Sequence, residues 1–395
     1  MKYLRKLFAY PKGILWGIML IAAAVRLIGF GRYHGLIYDE YYYVPAALTL
    51  LSRPSPVLIP HAVPGIDPNL LSAPPFAKEV IAASIWIFGN HAWAWRLPGE
   101  ILGILAVGGL YALTRDMFQS RATALVAAGL AAVDGLMITM SRVALLDSIA
   151  FPLVVLNGWM LWRLSAALRR GQAVRWPHWA GWGILLGLGL SAKWIGAQTI
   201  LLAWVWLAGH KKFWPGQPLL SRWMAALSVT FVPLVVYFLT YFYAWPSGFH
   251  QSWLPRNFFI AWAVLQKDMV AALWDFRFYQ PWTSSAWSWI AIPRPTLLLQ
   301  IVHHKHIMRL MAFSDPLVIW TGLLGLIQGG YDALVRRKNG WIWLFLWLWL
   351  GAFYGTWLLT PRSKFTYYFL SAMVAVIIAA AHLLVSGWRS SLRIG

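Results

Sequence analysis

Two adjacent carboxylates, Asp39 and Glu40, sit in the run Ile-Tyr-Asp-Glu-Tyr-Tyr-Tyr-Val-Pro. Like charges held together raise at least one pKa, which suits a carboxylate for general-base work. The same residues opening a helix would instead cap it and complement its dipole. A second charged cluster, Lys78-Glu79, follows Ala73-Pro74-Pro75-Phe76-Ala77, where the prolines start a helix. Arg96 lies in Trp95-Arg96-Leu97-Pro98, and Arg142 and Asp147 bracket Ser141-Arg142-Val143-Ala144-Leu145-Leu146-Asp147. Lys193 lies in Ser191-Ala192-Lys193-Trp194, and Arg362 and Lys364 precede Phe365-Thr366-Tyr367-Tyr368. Guanidinium and ammonium groups so placed either bind an anion such as phosphate or snorkel from apolar segments to an interface. Asp147 reads as the buried partner of Arg142.

His303, His304 and His306 surround Lys305 without the helical spacing or adjacent acid of a metal site, so a solvated loop is the expectation. No glycine-rich phosphate loop, HExxH or GxSxG is present. No cofactor is required by these motifs, and they say nothing for or against a divalent cation. With no Cys, disulfide and thiolate chemistry are excluded.

The elements that must position these residues belong in a bilayer. The 395-residue chain is 60% hydrophobic and 11% charged, with 28 Trp, which excludes an ordinary water-soluble enzyme, a disordered chain and collagen. Its net charge of +21 would suggest nucleic acid in a soluble protein, but membrane topology accounts for it here, and no nucleic-acid partner is expected.

Apolar segments of about 20 residues, the length that crosses a bilayer, lie near 13–30, 95–113, 121–139, 143–163, 179–192, 195–210, 223–243, 315–330, 341–360 and 366–387. The expected fold is an all-α polytopic membrane protein with about ten spans. Placing the N-terminus inside collects more than half of the 33 basic residues on that side, among them Lys2, Arg5, Lys6, Arg115, Arg121, Arg163, Lys211, Lys212, Arg336 and Arg389. Both termini are then cytoplasmic. The basic, apolar start resembles a secretory signal, but its removal would spoil this charge pattern.

Two outer segments, 31–94 and 244–314, are too long to be turns and contain amphipathic pieces, Tyr41 to Leu51, Phe76 to Phe88 and Phe258 to Trp274, suited to lie in the interface. In this topology Lys78, Arg96, Arg142, Lys193, Arg362 and Lys364 all face outward, where they could ring one anionic headgroup. The chain reads as a single transmembrane domain, 1–395, with no internal repeat.

Asp-Glu after the first span, Pro-Pro-x-x-Lys, Trp-Arg-Leu-Pro, Asp134-Gly135-Leu136 leading to Ser-Arg-Val-Ala-Leu-Leu-Asp, and Ala-Lys-Trp-Ile-Gly occur in this order. Pro281-Trp282-Thr283-Ser284-Ser285, Trp287-Ser288-Trp289 and Arg294-Pro295 follow, then Phe-Thr-Tyr-Tyr-Phe. This set resembles the protein O-mannosyltransferases of the GT-C superfamily over most of the chain. The resemblance implies a GT-C bundle with outer-face amphipathic helices that transfers mannose from a polyprenyl-phosphate carrier to Ser or Thr hydroxyls of secreted or membrane proteins, on the outer face of the plasma membrane. It assigns Asp39 as the base and Glu40 as its orienting neighbour. The family's phosphate-binding arginine maps best onto Arg96, with Arg142 and Lys193 as further donor-phosphate ligands.

The chain departs from the family at Ala73, where His is usual before Pro-Pro, and at Tyr279-Gln280-Pro281-Trp282, where His-Pro-Tyr is usual. It also carries no large sugar-recognition insertion in the second outer loop, which suggests the bacterial type. Two other functions fit the same composition: a GT-C enzyme moving a different lipid-carried sugar to a lipid or polysaccharide, and a secondary transporter.

Overall fold

A computed structural model describes residues 11–51, 73–209, 213–248, 255–275, 281–291, 294–303 and 306–394. His304, Lys305, Tyr279 and Gln280, together with Lys2, Arg5, Lys6, Lys211 and Lys212 of the charge pattern, lie outside the described residues.

The chain opens with α1 (Pro11–Leu27), which is followed by two shorter helices, α2 (Glu40–Leu50) and α3 (Phe76–Phe88). Next come α4 (Ala92–Phe118), α5 (Arg121–Val133), α6 (Gly135–Ser141), α7 (Leu146–Arg169), α8 (Trp176–Ala192), α9 (Ile195–Gly209) and α10 (Leu219–Gly248). Helix α11 (Phe258–Asp275) and a hairpin of β1 (Thr296–His303) and β2 (His306–Ala312) precede α12 (Pro316–Leu334). Helix α13 (Gly340–Leu350) runs through a π turn at Gly351–Gly355 into α14 (Thr356–Leu359), and α15 (Met373–Ile394) closes the chain.

Each apolar segment of the sequence coincides with a helix, but the helices differ in reach. Five are long and apolar enough to cross a membrane, within Ala92–Phe118, Leu146–Arg169, Leu219–Ala244, Pro316–Leu334 and Gly340–Leu359. Helices α5 and α6 together make a sixth, bent by 58° at Asp134. Gly13–Leu27, Ile195–Gly209 and Met373–Trp388 are apolar but shorter. Large apolar side chains such as Phe231, Leu234, Leu239 and Phe242 of α10 stay exposed on the bundle surface, as a lipid-facing helix requires. The chain is a multi-pass membrane protein.

Without a hydrophobic drive between helices in lipid, close packing depends on small residues. The first half of α15 is enclosed on all sides, every residue from Met373 to Ala381 being fully buried. It is gripped by α12, where a Cβ at Gly322 would overlap Val376 and one at Gly325 would overlap the Ala379 carbonyl. Gly158 of α7 likewise receives the ring of Trp349, and Gly329 that of Trp343. The hairpin is the one sheet among the described residues, and the sequence reading did not anticipate it. Its strands pair antiparallel from Thr296↔Ala312 to His303↔His306, with a bulge between Leu297 and Leu299.

Gly158→Ala should lower the melting temperature in detergent by the equivalent of about 1–3 kcal/mol of overpacking, leaving the α2 end of the bundle unchanged. A thermal-shift measurement that finds wild-type stability would show that the Trp349 contact is not tight.

Candidate functional site

The site is organised by the Glu40 carboxylate, which is fully buried together with Arg96. Oε1 accepts from Arg96 Nε at 2.8 Å and from the Ala144 amide at 2.8 Å. Oε2 accepts from Arg96 Nη2 at 2.7 Å and from the Ile37 amide at 2.8 Å. Arg96 spends its remaining N–H groups on backbone, with Nη1 reaching the carbonyls of Tyr33 (2.7 Å) and Phe30 (3.4 Å) and Nη2 that of Gly35 (2.7 Å). All five guanidinium donors are therefore occupied. One ion pair thus ties the 30–40 loop, the first turns of α4 and the 142–145 turn together.

That loop carries Asp39. Tyr38 turns the chain in the left-handed region at φ 51°, and Asp39 occupies the N-cap position of α2 without a side-chain capping bond, which leaves its carboxylate for other work. Burial raises the Asp39 carboxyl from the ordinary carboxylate range to about 7, with Asp147 pushing the same way and Lys193 and Arg362 opposing. Lys193 Nζ lies 2.6 Å from Asp147 Oδ2, and 5.3 and 5.7 Å from the ring centres of Tyr368 and Tyr367. Arg362 stands 6.0 Å over the ring of Tyr368, and the ring of Tyr38 meets those of Tyr367 and Phe365 edge-on at 6.0 and 6.3 Å. Burial, then the nearby Asp39 charge, holds Tyr38, Tyr42 and Tyr43 in the protonated form. Four segments distant in sequence so enclose one half-buried acid with two cations beside it.

The other sequence candidates are placed elsewhere. Arg96, expected to bind phosphate, has no donor left for it. Arg142 donates to the carbonyls of Val25 (2.5 Å) and Ile28 (3.0 Å) at the end of α1 and stands 3.9 Å from Glu100, so it is not the partner of Asp147. It precedes α7 and points back to α1, whereas Asp147 faces the α8–α9 turn and Lys193. Lys78 is buried and donates to the Ala73 carbonyl at 2.8 Å, and Lys364 donates to the Trp357 and Thr360 carbonyls at 3.0 and 2.7 Å. The expected ring of six cations therefore reduces, beside Asp39, to Lys193 and Arg362.

Glu79 faces an apolar groove of about 880 Å3 between α2, α3 and the end of α10, lined by Leu50, Trp86, Leu239 and Phe242, and burial raises its carboxyl to about 7. The sequence reading missed Glu100, a fully buried acid in α4, and Arg26 of α1, which donates to the Ala131 and Ala132 carbonyls. A charge inside an apolar span was the available signal for both. Among the described residues no group of three or more His, Asp or Glu is arranged to hold a metal ion. His303 and His306 are exposed cross-strand partners at the end of the hairpin.

Residues 72–241 match the sequence profile of the dolichyl-phosphate-mannose-protein mannosyltransferases. The polyprenol-phosphate-mannose–protein mannosyltransferase of Mycobacterium tuberculosis is 25% identical over 430 aligned positions, covering 94% of this chain and 80% of that one. The Corynebacterium glutamicum protein of the same name is 22% identical, covering 91% and 79%. The chain is therefore similar to protein mannosyltransferases over most of its length.

Among solved structures, the fold is similar to that of the Saccharomyces cerevisiae protein O-mannosyltransferase Pmt1-Pmt2 complex bound to its sugar donor, with TM-score 0.75 and 13% identity over 94% of this chain and 84% of that one. It is also similar to ArnT of Cupriavidus metallidurans bound to undecaprenyl phosphate, with TM-score 0.59 and 16% identity over 94% and 60%. The fold is that of the GT-C membrane glycosyltransferases. Each similarity covers 94% of this chain.

Removing one member of the Glu40–Arg96 pair strands the other in the core, a loss of about 3–5 kcal/mol. Arg96→Met and Glu40→Gln should each melt well below wild type, and the double variant should recover part of the loss. Additive losses in a double-mutant cycle would show that the two side chains act independently.

Proposed function

We propose that this chain transfers mannose from a polyprenyl-phosphate-mannose donor to Ser or Thr hydroxyls of proteins, with Asp39 as general base. The observation that carries the proposal is the half-buried Asp39 carboxyl, raised to about 7, beside Lys193 and Arg362. The acceptor oxygen forms a bond to C1 of the mannose as the C1–O bond to phosphate breaks. The hydroxyl proton passes to Asp39, and the polyprenyl phosphate leaves with the bonding pair. Lys193 and Arg362 sit where charge develops on that phosphate, and such preorganised cations favour the transition state over the ground state.

Glu40 acts on Asp39 through the backbone, fixing the loop rather than touching substrate. Asp147 holds Lys193 in place and, by its charge, keeps Asp39 basic. Arg142 serves this arrangement by clamping the end of α1, and Lys78 and Lys364 by fastening their own turns.

The charge pattern of the connecting loops supports placing both termini in the cytoplasm and Asp39 at the outer face of the plasma membrane. There a lipid-linked donor and a secreted or membrane-bound acceptor protein would meet. Residues 1–395 form one transmembrane catalytic domain on this reading, with the 31–94 and 244–314 segments as its outer parts. The similarity to mannosyltransferases favours an enzyme over a transporter.

Asp39→Asn should reduce transfer from polyprenyl-phosphate mannose to a Thr-containing peptide by about 10²–10⁴-fold, with the purified protein folded and still binding carrier. The carboxylate is the active form of a base, so kcat/KM should rise with pH and level off above about 7. Asp147→Asn removes a charge that raises the Asp39 pKa, so it should move this limb to lower pH. Transfer of mannose to lipid but to no peptide would replace the protein acceptor, and a pH limb unchanged in Asp147→Asn would remove Asp147 from the site.

A further inference from the structure

The start of the β1–β2 ribbon is fastened near Asp39, and its end is fastened to the start of α6. Strand β1 starts two residues after Arg294, whose carbonyl accepts from Thr366 Oγ1, and Thr366 lies between the two rings that meet Tyr38. Just beyond β2, Ser314 Oγ donates to Asp134 at the start of α6, and α6 leads into the 142–145 turn held by Glu40. From this root the ribbon projects outward. Val302, Ile307 and Met308 are about 60% exposed, and His306 and Arg309 are exposed as well.

The backbone of β2 shows which groups it leaves open. Thr139 Oγ1 reaches the Met311 carbonyl at 3.5 Å from the α6 side, so Met311 presents its backbone away from β1. Residues alternate between the two edges of a strand, and the bulge lies on β1, so Arg309 and Ile307 share the outward direction of Met311. The close side-chain bond from Arg309 Nε to Gln300 Oε1, 2.8 Å, agrees with the narrow spacing of a pair that makes no ladder bonds. Among the described residues no hydrogen bond from outside the hairpin reaches the amides or carbonyls of Ile307 and Arg309.

An open strand edge of this kind is complementary to one chemistry above others: a second extended backbone with donors and acceptors at a two-residue repeat. We propose that the outer edge of β2, through Ile307 and Arg309, takes the acceptor polypeptide as a third strand. This rests on the reading above that the acceptor is a protein. The added strand would lead along the ribbon toward its root and so toward Asp39, aligning the segment flanking the reacting hydroxyl. Main-chain pairing gives affinity with little demand on side-chain identity, which suits an enzyme that modifies many sites.

The test uses two acceptors with the full-length protein and polyprenyl-phosphate mannose. One is a synthetic peptide of about twelve residues with a single central Thr, long enough at ~3.3 Å per residue to span the ribbon. The other is N-acetylthreonine amide, too short to reach it. Ile307→Pro removes an outward amide at an edge position where proline is tolerated, and Ile307→Ala keeps that amide.

Ile307→Pro should raise KM for the peptide by about tenfold while Ile307→Ala stays near wild type, and neither should change turnover of N-acetylthreonine amide. Peptides N-methylated at single positions on one side of Thr should lose affinity at alternate residues only. Equal KM for Ile307→Pro and wild type, or N-methyl effects without a two-residue period, would overturn the docking mode while leaving protein mannosylation intact. Failure of the wild-type protein to modify either acceptor would overturn both.

Discussion

The buried pair of Glu40 and Arg96 is the constraint on which the site depends. A charge pair in an apolar interior is stable only when every remaining donor and lone pair finds a partner. Here the partners are backbone groups of two separate segments: the carbonyls of Phe30, Tyr33 and Gly35 with the amide of Ile37 in the 30–40 loop, and the amide of Ala144. The cost of burying the charges is thereby converted into geometry. The 30–40 loop cannot move without unpairing a charge, and Asp39 is the next residue along. The turn at Ala144 is fixed by the same carboxylate, and three residues later Asp147 directs Lys193.

The chemistry follows from what surrounds that fixed acid. A carboxylate in water is a weak base, and a fully buried one would stay protonated. Asp39 sits between these limits, raised by burial and by Asp147 and restrained by Lys193 and Arg362 to about 7. In the proposed reaction the two cations that tune it would also stabilise the departing phosphate. The neighbouring tyrosines, kept neutral by burial, add hydroxyl donors and ring faces without further charge.

Much of this was legible in the chain. Asp39 and Glu40 announced themselves as adjacent acids beside an apolar span, and the apolar segments located the helices. What sequence could not provide was partnership across space. Arg96 read as a phosphate ligand because an arginine that binds an anion and one that satisfies carbonyls have the same letter and similar flanks. The bond between Asp147 and Lys193 joins residues on different helices, and proximity in sequence favoured Arg142 instead. The hairpin escaped notice because Thr-Leu-Leu-Leu-Gln-Ile-Val has no clean alternation, one strand being bulged and half exposed. Glu100 was hidden inside an apolar stretch whose overall hydropathy masks a single acid. Five helices, or six with the bent pair, meet a length and hydropathy test for crossing, and the remaining segments that read as spans are shorter apolar helices.

The most direct test of the central claim is a cryo-EM structure of the protein with a polyprenyl-phosphonate mannose analogue and a Thr-containing peptide. The account predicts the Thr hydroxyl within hydrogen-bond reach of Asp39 and about 3–3.5 Å from the sugar C1, with the phosphonate against Lys193 and Arg362 and Glu40 still paired with Arg96. A phosphonate held by Arg96, with the Glu40 pair broken and Asp39 remote from the hydroxyl, would contradict it.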